Sequence, residues 1–169
     1  AGYGDVPWAQ YRDSIKELDV AAGVTSLSDW SMYHCFNLQK VAFADGSKLS
    51  SVGMLAFLDD YSLASIALPD SVSRISWGAF SYCSGLKDVY IPDGVSWIGG
   101  GAFDHAEGVT LSVARGSYAA DWAKANGVKY TEREPAAIAS GNCGDSLTWK
   151  LTGDGVLSIE GTGDMQAYA

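Results

Sequence analysis

The sequence is poor in positive charge and in proline: 11 Lys and Arg stand against 20 Asp and Glu, and there are 4 Pro. The net charge of −9 repels phosphate backbones, so nucleic acid is not an expected partner. No apolar run reaches the length of a membrane span, and membrane insertion is not expected either. The first residues lack the basic-then-apolar pattern of a signal peptide, and a mature or excised segment would look the same. Cysteines number 3, with no Cys-x-x-Cys pair and no Cys/His cluster, so no zinc site is expected. The 2 histidines, His34 and His105, have no catalytic arrangement around them: Asp104 adjoins His105, and adjacent side chains diverge. A Gly-x-Ser-x-Gly elbow, a phosphate loop and a calcium loop are also missing. These absences together argue against an enzyme and against any cofactor.

What the chain does have is a repeat. Leu63 to Gly85 ("LASIALPDSVSRISWGAFSYCSG") is followed by Leu86 to Gly108 ("LKDVYIPDGVSWIGGGAFDHAEG"). Pro69 and Pro92, Ile75 and Ile98, and Phe80 and Phe103 are each 23 residues apart, as are Phe57 and Phe80. Val24 to Leu27 matches Val72 to Ile75, and Cys35 matches Cys83, at an offset of 48 that implies a two-residue insertion near Ser47-Lys48. A degenerate fifth copy begins at Val109.

Each copy reads Leu-x-x-Val/Ile-x-Ile/Leu-Pro-Asp-x-Val-x-x-Ile-x-x-x-Ala-Phe. Apolar residues two apart, as at Val89 and Ile91, suit a short strand with one buried face. Pro92-Asp93-Gly94 turns the chain, Val95 and Ile98 face inward again, and Ala102-Phe103 fill the far side. A unit this small cannot bury its own apolar face but can do so against copies stacked on either side. The expected ladder is Leu63, Ile66, Leu68, Val72, Ile75, Phe80, Leu86, Val89, Ile91, Val95, Ile98 and Phe103. The fold class is an α/β solenoid, mostly β, of roughly 23-residue units, with a short helical cap and then a β-hairpin.

This pattern resembles the BspA-like leucine-rich repeats of bacterial surface proteins, over residues 15–130. "GSYAADWAKANGVKY" resembles the helical cap of such arrays, with Ser117 as N-cap and Gly127 as stop, so that the helix occupies 117–126. The resemblance implies a secreted or cell-surface location.

Residues 131–139 ("TEREPAAIA") show no periodicity and read as a linker. In 140–169, Leu147, Trp149 and Leu151 alternate with polar residues, as do Leu157 and Ile159, with Gly153-Asp154-Gly155 as a hairpin turn. The Cys143-Gly144-Asp145-x-Leu147-Thr148-Trp149 run resembles the β module that precedes such repeats. Its second half, with Pro7, Trp8 and Tyr11, is expected in residues 1–14, with Ile15 directly after it. An isolated hairpin is marginal in water, so an assembly interface is expected between Leu147, Trp149, Leu151, Leu157, Ile159 and the Trp8, Tyr11, Ile15 region. The complement is its own chain's or another copy's, the latter giving a head-to-tail homo-oligomer or filament.

Cys35 and Cys83, two copies apart, would lie ~10 Å from one another, beyond the ~7 Å reach of a disulfide, and read as small core residues. Outward positions on the strands (Glu17, Asp19, Lys40, Ser65, Asp88 and Tyr90) form a possible ligand face for a host protein or glycan. The stripe is small and mixed, without a dense aromatic cluster.

Overall fold

A computed structural model describes residues 6–166. Its first turn holds β1 (Glu17–Val20) and β2 (Ser26–Leu27), its second β3 (Lys40–Phe43) and β4 (Ser51–Val52). The third has β5 (Ser65–Ala67) and β6 (Arg74–Ile75), the fourth β7 (Asp88–Tyr90) and β8 (Trp97–Ile98), followed by β9 (Thr110–Ala114). The odd-numbered strands build one side and the even-numbered ones a second, parallel throughout. The remaining segments, residues 28–39, 53–64, 76–87 and 99–109, form a third side of turns.

The register carries the repeat directly. Ser65 pairs with Asp88, 23 residues on, and Ser51 with Arg74, but Ser26 pairs with Ser51, 25 residues on. The two extra residues fall between β3 and β4, where the insertion was expected. They have a structural cost: the long-strand side splits into a β1-β3 pair and a β5-β7-β9 group, and no ladder joins β3 to β5.

All twelve expected ladder residues are buried. Phe57, Phe80 and Phe103 stack nearly parallel, with centroids 5.2 and 5.3 Å apart, and the edge of Trp122 closes the column at 6.0 Å. Helix α1 (Tyr118–Ala125) lies over that end; the Ser117 hydroxyl accepts the Ala120 N–H, and Ala119, Ala120 and Ala123 face inward. Without such a lid the last rung would leave its apolar face in water.

The segment after the helix differs from the linker reading. Tyr130–Arg133 forms β10, which pairs in parallel with β9 and adds a sixth rung to the long-strand side. Ala137–Gly144 forms β11, so only the residues around buried Pro135 connect. The expected hairpin is present as β12 (Leu147–Thr152) and β13 (Leu157–Gly161), and β11 pairs with β12 to extend it into an antiparallel meander of three strands. The third strand supplies part of the support that a bare hairpin lacks. The Ala136 N–H donates to Asp93 Oδ2 at 2.7 Å, and Arg115 reaches Asp154 at 3.5 Å, so the meander is moored to the solenoid.

The other expected half-module is only partly described, because residues 1–5 and 167–169 lie outside the described residues. Its described part is a 3-10 helix, Ala9–Ser14, and not a strand. Trp8 Nε1 donates to the Ser31 carbonyl at 2.8 Å and Asn37 Nδ2 to that of Asp13 at 2.7 Å, which seats this segment on the first turn.

Candidate binding surfaces

The six residues expected on the ligand face do share one side. Glu17 and Lys40 face each other at 3.5 Å, each 60 % exposed, a contact that water screens. Asp19, Ser65 and Asp88 are exposed as well. Tyr90 differs, since the Arg133 guanidinium from β10 lies 4.3 Å from its ring centroid. Burial, ahead of the opposing Arg133 charge, pushes the Tyr90 phenol up. None of the exposed large apolar side chains of the described residues sits on this face. It carries a cleft of about 570 Å³ where the sheet divides, lined by Phe43, Asp45, Pro69 and Asp70 among others, and a smaller hollow of about 260 Å³ over β5, β7 and β9, lined by Ser65, Asp88 and Tyr90 among others.

The turn side carries the aromatic cluster that the strand face lacks. Tyr33 stacks on His34 at 3.5 Å, His34 approaches Phe36 at 5.0 Å, and Phe36 stacks on Tyr61 at 5.4 Å. The Asp59 carboxylate accepts from the Tyr61 hydroxyl at 3.0 Å and lies 2.8 Å from His34 Nε2. His34, Asp59, Tyr82 and His105 occupy one repeat position, all with left-handed backbone (φ 57 to 65°). Trp30, Leu55, Gly78 and Gly101 occupy a second such position. Left-handed geometry costs a non-glycine residue on the order of 1 kcal/mol. It is held here because each of these N–H groups before the last rung donates to a carbonyl of the next, as His34 does to Leu58 and Leu55 to Trp77. This surface was legible in principle: aligning the copies places Phe36 over Tyr61 and His34 over Asp59.

The expected assembly residues fall in two places. Trp8 is 39 % and Tyr11 58 % exposed, whereas Ile15 is half-buried against the solenoid core. In the meander, Trp149 stands opposite Ile159 and Leu151 opposite Leu157, giving one apolar face. Leu147 is buried, Trp149 and Leu151 are half-buried, and Leu157 and Ile159 remain 58 % and 45 % exposed. Ala9–Ser14 lies beside none of the three meander strands, so the chain does not bring the two groups together.

The cysteines are buried free thiols. Cys35 and Cys83 share a repeat position with Asp60 and Ala106, which makes Asp60 a carboxyl inside the stack, fully buried. Its Oδ1 accepts the Cys35 N–H at 2.8 Å, and its Oδ2 has no partner. Burial pushes the Asp60 carboxyl up to about 9, and burial, then the nearby Asp60, pushes the Cys35 thiol up to about 12. A group this shielded is neutral near pH 7 and has no access to a substrate. Sequence reasoning passed over it because Asp59-Asp60 resembles an ordinary turn pair.

Comparison with known proteins agrees with this architecture. Residues 9–113 match the family model described as BspA type leucine rich repeat region, in 6 copies. No curated protein matches the chain. Among solved structures, a leucine-rich repeat protein from Bacteroides ovatus is 23 % identical with a TM-score of 0.58, covering 69 % of this chain and 30 % of its own. The T. pallidum leucine rich repeat protein is 29 % identical with a TM-score of 0.56, covering 59 % of this chain and 46 % of its own. A leucine rich cell surface protein from Faecalibacterium prausnitzii is 18 % identical with a TM-score of 0.52, covering 84 % and 44 %. The chain thus spans less than half the length of each of these relatives. On its repeat, its buried ladder and the extent of the match, the chain belongs to the BspA-type leucine-rich repeat family.

Proposed function

We propose that the chain is a non-enzymatic bacterial surface or secreted module with a structural and adhesive role, assembling head-to-tail with further copies of itself. The observation that carries this reading is the apolar face of the meander. Leu157 and Ile159 are largely exposed on a small sheet whose outer strand, β13, has a free edge. Fully burying a large aliphatic side chain contributes about 1.5–3 kcal/mol, while association costs at least about 4 kcal/mol. Two side chains alone barely offset that cost. A stable contact also needs the half-buried Trp149 and Leu151, and a complementary surface such as exposed Trp8 and Tyr11. The surface location is supported by the family and by the cell-surface description of the Faecalibacterium prausnitzii protein. No helix among the described residues is long and apolar enough to cross a membrane.

The test is light scattering across a dilution series, comparing the wild type with Leu157→Asp/Ile159→Asp. Both positions are exposed, so the change is expected to spare the fold while reducing the mass to that of a monomer. A wild type that stays monomeric at the highest concentration contradicts the reading. A second reading, a receptor-like module binding a host protein or glycan on the strand face, is favoured by one observation. The cleft between β3 and β5 gives the Glu17, Asp19, Lys40, Ser65, Asp88 and Tyr90 stripe a concave feature beside it.

A further inference from the structure

Trp77 is the most exposed tryptophan of the chain, at 62 %. Its indole rests on the backbone of the next rung: a Cβ added at Gly99 would lie 2.8 Å from its Cδ1, and one at Gly100 3.7 Å from its Cζ2. One column over, Trp30 and Leu55 give way to Gly78 and Gly101, so the side chains that fill this row in the earlier rungs are absent in the later ones. Leu55 leans over Gly78, where an added Cβ would come 2.5 Å from its Cδ2, and beside it runs a groove of about 330 Å³, with Met54, Leu55 and Trp77 as its apolar lining and Ser81 and Asp104 as its polar lining. The Asp104 carboxylate lies over Gly101, where an added Cβ would come 2.8 Å from Oδ2. No cation among the described residues pairs with Asp104.

We infer that this groove takes one arginine or lysine side chain presented by a basic segment of a partner protein. Such a side chain has the two halves that the groove has: an apolar stem for Met54 and Leu55, and a cationic tip for the indole face and Asp104. Elsewhere this protein already covers its rings in that way. Arg74 lies 3.7 Å over Trp97 and Arg133 4.3 Å over Tyr90, whereas no arginine or lysine of the described residues covers Trp77. The net charge of −9 adds a field that draws a basic segment in. The volume suits a single side chain and not a helix. Binding here requires no head-to-tail contact, since Trp77 stands on the turn side of the solenoid and not in the meander.

The experiment uses the intact chain and a fluorescein-labelled peptide of alternating arginine and glycine, read by fluorescence anisotropy. Trp77→Ala is expected to raise Kd roughly tenfold and Asp104→Asn roughly fivefold, the scale of a cation–π contact and a charge-assisted one. Asp121→Asn on α1 removes the same charge elsewhere and is expected to leave Kd unchanged. Trp77 is exposed, so unchanged thermal melting of Trp77→Ala will show that the fold is intact. The Leu157→Asp/Ile159→Asp variant is expected to bind the peptide as the wild type does, whichever oligomeric state it adopts. Absence of peptide binding, or loss that is equal for Asp104→Asn and Asp121→Asn, overturns the inference, the latter by showing that the peptide senses net charge only. Trp77-dependent binding of a neutral cello-oligosaccharide in place of the peptide also overturns it and assigns the groove to a glycan.

Discussion

Asp60 shows how one residue can contradict the pattern around it and still leave the fold intact. Its neighbours in the column, Cys35, Cys83 and Ala106, are small and apolar or nearly so, yet Asp60 is fully buried with one oxygen unpartnered. Burial raises its folded-state value to about 9 from an ordinary 3.8, so the folded chain keeps a proton that the unfolded chain releases above pH 4. The stabilising balance for this group is therefore complete at low pH and is lost as pH rises through about 9. Asp60→Ala should remove that dependence and raise stability at pH 8 by about 1–3 kcal/mol, the cost of an unsatisfied buried polar group. The Cys35 N–H keeps its bond to the Met32 carbonyl, so the substitution leaves no new orphan donor there. Urea midpoints at pH 5 and pH 9 will check this: a wild-type midpoint that falls over that range while the variant's does not is the expected outcome. The Phe57, Phe80, Phe103 column, by contrast, was fully legible, because a constant spacing of 23 leaves one way to stack it.

At the scale of elements, legibility followed the apolar pattern and failed where backbone pairing alone forms the strand. β7 and β9 announce themselves through Val89, Ile91, Leu111 and Val113, all buried. Thr131, Glu132 and Arg133 in β10 show no alternation, because β10 joins the sheet by hydrogen bonds at its edge and fully buries none of its side chains. β11 escaped for the same reason: its Ala, Ser and Gly residues have little to bury. Two arginines hold these late elements, with different expected weights. Arg115 pairs bidentately with Glu134 at 2.8 and 3.2 Å, but both are well exposed and water screens the contact, so Arg115→Ala should leave the denaturation midpoint close to that of the wild type. Arg133 is less exposed, donates to the Ile91 carbonyl at 2.6 Å, pairs with Asp93 and covers Tyr90. Arg133→Ala should cost about 1.5–3 kcal/mol, as for a partly buried bond to a charged group. Denaturant titration of the two variants side by side will rank them, and equal midpoints would show that β10 is held by its backbone alone.

For the whole molecule, the solenoid is closed at one end and carries an open apolar sheet beyond it. The cap α1 and the rung β10 cover the last Phe, whereas Ile15, Leu18, Val24 and Leu27 of the first turn are only half-buried. The apolar residues at the two ends could be named from sequence, but whether one chain brings them together could not, because that depends on the path of the segment after α1, whose strand β10 and meander the apolar pattern does not announce. Head-to-tail contact between unlike surfaces has a signature that no symmetric contact shares. A variant changed only at the meander (Leu157→Asp/Ile159→Asp) and one changed only at the other end (Trp8→Ala/Tyr11→Ala) each keep one of the two proposed surfaces. Sedimentation velocity on each variant alone and on their equimolar mixture is the most direct measurement. The account predicts monomers of each variant alone and a 1:1 dimer that grows no further in the mixture; a mixture that remains monomeric while the wild type assembles would contradict it.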